Sequence, residues 1–158
     1  MGVIMEPMLF RDILKDAEFQ RCCHYEIRHF VEGDTIIEEG SPGSELYLII
    51  EGTADVLAAV DHLSEPGRTT GIAKLFPGDI VGELGLFAEL PRTATVVATR
   101  PAAVAVMDGR DLMAYMDHNP VHGYWILKEI LFQVTRRLRE TSIRCNTITA
   151  LYFNDFSN

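Results

Sequence analysis

Residues 30–56 read F-V-E-G-D-T-I-I-E-E-G-S-P-G-S-E-L-Y-L-I-I-E-G-T-A-D-V. Short β-branched and aromatic runs are cut here by glycine turns. Strands are predicted at Thr35–Glu38, Leu46–Glu51 and Thr53–Val60, with Gly33-Asp34, Gly40 to Gly43 and Glu51-Gly52 as the turns. Strands this short and regularly spaced indicate an antiparallel barrel or jelly roll, architectures that leave few unpaired sheet edges. Downstream, His62 to Thr70 is a polar hairpin loop with a Pro-Gly turn, and Gly71–Phe76 is the next predicted strand. Phe76-Pro77-Gly78-Asp79 then repeats the Phe30…Gly33-Asp34 device, a faint internal echo that fits two halves of one roll. Thr93–Thr99 and Ala102–Met107 read as two further strands joined at Arg100-Pro101.

The second of these turns leads into Val81–Val97, V-G-E-L-G-L-F-A-E-L-P-R-T-A-T-V-V. Gly82 has no Cβ and lets backbone approach a ligand closely. Leu84 to Ala88 suits a single helical turn, whose first amides would point outward unpaired and suit a phosphate. Arg92 adds a charged fork able to hold a phosphate through two parallel hydrogen bonds. Glu83 would repel that phosphate, so a sugar hydroxyl is its natural partner. The segment thus offers an acceptor for ribose and donors for an anion, with no nucleophile-and-base constellation attached.

At these residues the chain resembles the cyclic-nucleotide-binding domain family, the module of catabolite activator protein, protein kinase A regulatory subunits and nucleotide-gated channels. The family's phosphate-binding cassette reads roughly F-G-E-x-A/G-L, a short spacer, then P-R-x-A-x-V. Gly82-Glu83-Leu84-Gly85-Leu86 and Pro91-Arg92-Thr93-Ala94-Thr95-Val96 match it nearly position for position, with Val81 where the family often has Phe. Gly33-Asp34 and the Gly43…Tyr47…Gly52 series match the first half of the family's β-roll. The resemblance implies a β-roll, or double-stranded β-helix, with an N-terminal helical segment and a C-terminal helix pair. It implies that Glu83 binds the ribose 2′-hydroxyl and Arg92 the cyclic phosphate. The amides of Gly85 and Leu86, and of Thr93 or Ala94, would complete the cradle. The ligand expected is cyclic AMP. Cyclic GMP stays open, because Thr93 could offer its hydroxyl to the phosphate or to a guanine amino group. Arg100 reads as a surface turn residue, and Glu38, Glu39 and Glu45 as a solvated face.

The flanks are helical in this reading. From Pro7 to about Phe30, Leu9, Ile13, Leu14 and Phe19 fall near a 3.6 period, as in a helix packed under the barrel. Asp108 is a plausible N-cap for a helix that Asn119-Pro120 interrupts. In the longer helix that follows, Leu127, Leu131, Val134, Leu138, Thr141, Cys145 and Ile148 step by four and three, widened by Ile126 and Ile130. This seam is read as a homodimer contact, the alternative being one helix that lies on its own barrel. The helix is basic at Lys128, Arg136, Arg137, Arg139 and Arg144, and i,i+4 pairs Arg136–Glu140 and Glu140–Arg144 are expected on a charged outer face. One of Gln133, Thr135, Arg136 or Arg137 is expected to contact the base.

The whole-chain balance narrows the classes. A chain of 158 residues, 47% hydrophobic and 23% charged, fits one domain, with the helical segment at about 7–30, the roll at 31–107 and the C-terminal helices at 108–150. The formal charge of −9 argues against nucleic acid as the main partner, and the chain ends without room for a helix-turn-helix. No apolar run approaches the ~20 residues of a membrane span, and no signal peptide or myristoylation pattern stands at the start. A cytoplasmic protein is expected.

Cys22, Cys23 and Cys145 do not suggest a disulfide framework, and Cys22-Cys23-His24 lacks a second metal-ligand pair. The five histidines (24, 29, 62, 118 and 122) include no His-x-His pair, against a metal-dependent jelly-roll enzyme. The expectation is therefore a non-enzymatic sensor, without metal or cofactor, that passes a helix shift to a second copy or to a separate effector protein. The alternative is a degenerate roll kept for protein contacts or dimerisation.

Overall fold

The computed structural model describes residues 10–59, 69–88 and 90–155. In chain order the elements are α1 (Phe10–Ile13), α2 (Ala17–Cys22), β1 (Tyr25–Phe30), β2 (Thr35–Ile37), β3 (Leu46–Glu51), β4 (Ala54–Ala59), β5 (Thr69–Leu75) and β6 (Ile80–Val81). They continue with α3 (Glu83–Phe87), β7 (Thr95–Ala98), β8 (Ala102–Met107), α4 (Gly109–His118) and α5 (Pro120–Asp155). Two four-stranded antiparallel sheets, ordered β1-β8-β3-β6 and β2-β7-β4-β5, form the roll.

The period of two along the central strands divides the core. On β3, Leu46 and Leu48 face one way and join Ala105 and Met107 of β8 against Phe10, Ile13, Phe19, Leu112, Tyr115, Ile126 and Ile130 of the helices. Tyr47 and Ile49 face the other way, with Val104 and Val106, against Ile37, Leu75, Val96 and Ala98 of the second sheet. Helices thus cover one face and a sheet the other. That double cover explains why Ala102–Met107 is an unbroken apolar run, every residue of it buried.

The N-terminal segment departs from expectation. It is two short helices and then a strand, not one helical stretch to about Phe30. Ile13 and Phe19 do enter the core, but Asp16 interrupts the helix and caps the next one, its Oδ1 accepting from Phe19 N at 2.8 Å. Tyr25–Phe30 carries almost no burial signal, because its six side chains are exposed or half-buried. Backbone pairing decides it: β8 has β3 on one edge, and β1 satisfies the other from Tyr25↔Met107 to Phe30↔Ala102. The two-residue β6 is too short to show a period.

The internal echo is a shared turn. Asp34 Oδ2 accepts from Val31 N and Asp79 Oδ2 from Phe76 N, each at 2.8 Å. The second turn delivers the chain to β6 and the cassette. The expected His62–Thr70 loop lies outside the described residues except for Thr69 and Thr70, which open β5; Leu9 and the side chain of Ile148 also lie outside them.

Pro120 opens the 36-residue α5 after Asn119 closes α4, proline being suited to a helix's first turn. Its predicted seam divides. Ile126 and Ile130 do not widen an outer face but are buried against the protein's own sheet. Leu127, Leu131 and Leu138 point outward, 46%, 63% and 66% exposed.

Candidate functional site

The site begins where β6 ends. Gly82 holds φ at 87°, the left-handed region that glycine enters without a Cβ penalty, and so turns the strand into α3. A Cβ on Gly82 would stand 2.7 Å from Glu45 O and 2.8 Å from Arg92 Nη1; one on Gly85 would stand 2.9 Å from the same Nη1. The two glycines leave the room that Arg92 occupies.

Arg92 is only 7% exposed. Burying a guanidinium is costly unless acceptors surround it, and three do. Nη1 donates to Gly82 O at 3.2 Å, and Nη2 donates to Glu45 O and to Glu45 Oε2, both at 2.9 Å. The Tyr47 ring lies 5.5 Å from the guanidinium carbon. Its backbone is clamped as well, with Arg92 N donating to Ser41 O at 3.0 Å and Arg92 O accepting from Gly40 N at 2.8 Å. Glu45 is therefore not part of a solvated face with Glu38 and Glu39, as its spacing suggested. Its partner is 47 residues away, beyond the reach of local pattern.

A cavity of about 210 Å³ opens beside Arg92. The cassette residues Gly82, Glu83, Leu84, Gly85, Pro91, Arg92, Thr93 and Ala94 all line it, together with the apolar wall of Ile37, Val56, Ile72, Val81 and Val96. Leu86 does not: its side chain packs against the core beside Gly109. The Gly85 amide donates to Gly82 O at 3.0 Å, inside the turn.

The far rim belongs to α5. Of the four residues considered for base contact, only Arg137 reaches the cavity. Its Nη1 lies 3.6 Å from Glu83 Oε1, and its Nη2 donates to Ile80 O. Gln133 is buried and spent on backbone, its Oε1 accepting from Ile80 N at 2.8 Å and its Nε2 donating to Gly78 O at 3.0 Å. Arg136 pairs with Asp79 Oδ1 at 2.7 Å, and Thr135 is exposed and lines no part of the cavity. Glu140 and Thr141 also line it. They lie three and four residues beyond Arg137, one helical turn on, and that spacing was the available signal.

The expected Arg136–Glu140 and Glu140–Arg144 pairs are replaced. Arg136 goes to Asp79, and Arg144 Nη1 donates to Ile72 O. Exposed i,i+4 pairs are worth only about 0.3–0.5 kcal/mol and yield readily to acceptors at the edge of the roll. Cys22 and Cys23 form no disulfide, and burial pushes the Cys23 thiol up to about 12, further raised by Asp111 and Asp108. Among the described residues no group of three His, Cys, Asp or Glu side chains could hold a metal ion.

A buried arginine, a carboxylate and a glycine turn on one cavity bear directly on the sequence resemblance. The family model described as cyclic nucleotide-binding domain matches residues 27–119. The chain belongs to that family. Over 126 residues it is 30% identical to a CRP-like cAMP-activated global transcriptional regulator of Mycobacterium tuberculosis, a match covering 80% of this chain and 51% of that one. The chain thus spans about half the length of the curated relatives it matches. Among solved structures it is similar to a cyclic nucleotide-binding domain of Methylobacillus flagellatus KT, with 28% identity, a TM-score of 0.68, and coverage of 76% of this chain and 65% of that one. It is also similar to the regulatory domain of Toxoplasma gondii PKA, co-crystallised with cAMP, with 29% identity, a TM-score of 0.53, and coverage of 58% and 34%.

The family match ends at Asn119, so the α5 rim of the cavity lies beyond it. The expectation that nucleic acid is not a partner draws no support from these relatives, which include a transcriptional regulator. Among the described residues no helix is long and apolar enough to cross a membrane.

Proposed function

We propose that this cyclic nucleotide-binding domain is a sensor of a 3′,5′-cyclic nucleotide, cyclic AMP in the first instance, seated in the cavity between the cassette and α5. The observation that carries the reading is Arg92, buried, clamped and lining that cavity. A guanidinium has five N–H donors. Three bonds to Gly82 and Glu45 leave two of these N–H groups, one on Nε and one on Nη1, without a partner among the described residues, so donors remain for a phosphate. Glu83 accepts the ribose 2′-hydroxyl in this reading, and the amides around Thr93 and Ala94 complete the phosphate end. Arg137, Glu140 and Thr141 then face the base. Two relatives support the nucleotide: one is described as cAMP-activated and another was crystallised with cAMP.

The proposed output is a shift of α5. Arg137 holds that helix to Glu83, so a ribose hydroxyl arriving at Glu83 changes what the helix is tied to. A ligand moves such an equilibrium only if it binds one helix position better than another. The outward Leu131, Phe132 and Leu138 support a second copy, or a separate effector protein, reading the shift.

Calorimetric titration with cyclic AMP, cyclic GMP and linear 5′-AMP tests the reading. Saturable binding of a cyclic nucleotide, tighter than of 5′-AMP, is expected. No heat with any of the three, from folded and nucleotide-free protein, would favour a module kept for protein contacts.

A further inference from the structure

The charges around the cavity do not fit a general phosphate site. Two arginines, Arg92 and Arg137, line it together with two glutamates, Glu83 and Glu140. Glu45 adds a third carboxylate from behind, its Oε2 2.9 Å from Arg92 Nη2. Gly43 leaves space for that contact: a Cβ there would collide with Glu45 Oε2. The cation at the phosphate end is therefore already balanced before any ligand arrives, within a chain of formal charge −9.

We infer that Glu45 is a specificity-determining residue that makes the site a charge filter, admitting the singly charged cyclic phosphodiester and penalising the doubly charged phosphate monoester. This rests on the nucleotide reading above and deepens it. A cyclic 3′,5′-phosphate carries one negative charge, whereas a terminal phosphate carries between one and a half and two at neutral pH. Coulomb repulsion from a fixed carboxylate is proportional to the ligand's charge, so Glu45 opposes 5′-AMP about twice as strongly as cyclic AMP. Both hydrogen-bonded contacts of Arg92 to Glu45 share one guanidinium nitrogen. Donors on Nε and Nη1 are not taken by Glu45, and the carboxylate acts on the anion chiefly through its field. The Glu45 side chain is 44% exposed, so water screens this field and the effect is that of a filter, not a block.

The test is the affinity of wild type and Glu45→Gln for three ligands at about pH 8, where the monoester is doubly charged. The ligands are cyclic AMP, 5′-AMP and the 5′-methylphosphate ester of adenosine, which is acyclic but singly charged. Glutamine keeps the size and one acceptor for Arg92 while removing the charge. All three ligands should bind the variant more tightly, 5′-AMP most, narrowing the 5′-AMP to cyclic AMP ratio by about tenfold. In wild type the methyl ester should bind better than 5′-AMP, and that advantage should shrink in the variant. A merely structural role for Glu45 would move all three ligands together. That outcome, or an unchanged ratio, overturns the filter while leaving the nucleotide site standing. If wild type binds none of the three, the nucleotide reading falls and the filter with it. Glu45→Ala, which also removes the acceptor, checks that the ratio follows the charge and not the lost hydrogen bond: it should narrow the ratio as the glutamine does.

Discussion

Arg137 Nη1 on α5 lies 3.6 Å from Glu83 Oε1 at the start of α3, both side chains more than four-fifths buried. One ion pair thus joins the cassette to α5. Removing either partner alone leaves a charge short of its counterion in a poorly hydrated place. Arg137→Ala is expected to cost about 1–2 kcal/mol, lowering Tm by several degrees. Glu83→Gln in the same background should restore part of the loss, and purely additive melting shifts would dissociate the two residues.

Glu83→Ala should erase most of the preference for ribo- over 2′-deoxy cyclic nucleotide. Competition binding with the two ligands checks this. A preference kept at its wild-type size would exclude the ribose role.

Arg92→Ala should weaken cyclic nucleotide binding by about 3 kcal/mol, more than a hundredfold, because a desolvated charge pair loses one member. Arg92→Lys keeps the charge but not the planar fork and should recover only part of the affinity. Calorimetry on variants shown to be folded by circular dichroism decides. Wild-type affinity in the alanine variant would remove the site from this cavity.

Gln133→Leu should be a stability variant and not a ligand-selectivity variant. It strands the buried Ile80 N and the half-buried Gly78 O, which Gln133 serves at 2.8 Å and 3.0 Å, at about 1–3 kcal/mol for the buried amide and less for the carbonyl. Chemical denaturation should show the loss while the cyclic AMP to cyclic GMP ratio stays at its wild-type value. A changed ratio with unchanged stability would return Gln133 to the base.

Asp16 gives a pH signature. The Phe19 amide, the largest influence, holds its carboxyl below the usual 3.8 against the opposing effect of partial burial, with smaller help from His122, the Glu18 amide and Tyr115. A lowered folded value means that the cap stabilises above 3.8 and that this contribution is lost as pH falls through the folded value. Asp16→Ala should cost about 1 kcal/mol near neutrality, and the gap to wild type should narrow as the pH falls below 3.8. A gap that stays constant over that range would show that the cap does not depend on the charge.

What the sequence determined is what depends on local spacing. The alternation in Leu46–Glu51 and the glycine turns around it predict the strands and the two-sided core, because a strand's faces alternate whatever surrounds it. The cassette residues lie within one short stretch, so Gly82, Glu83 and Arg92 could be read together and are found around one cavity. The tertiary structure decided the pairings between distant segments. Tyr25–Phe30 is a strand only because β8 has an open edge, and Glu45 meets Arg92 only because the roll folds β3 against the cassette. Gln133, Arg136 and Arg137 sit almost side by side in sequence, yet one supports a turn, one pairs with Asp79 and one rims the cavity. A helix turns 100° per residue, so only the position of the sheet beneath it assigns those roles.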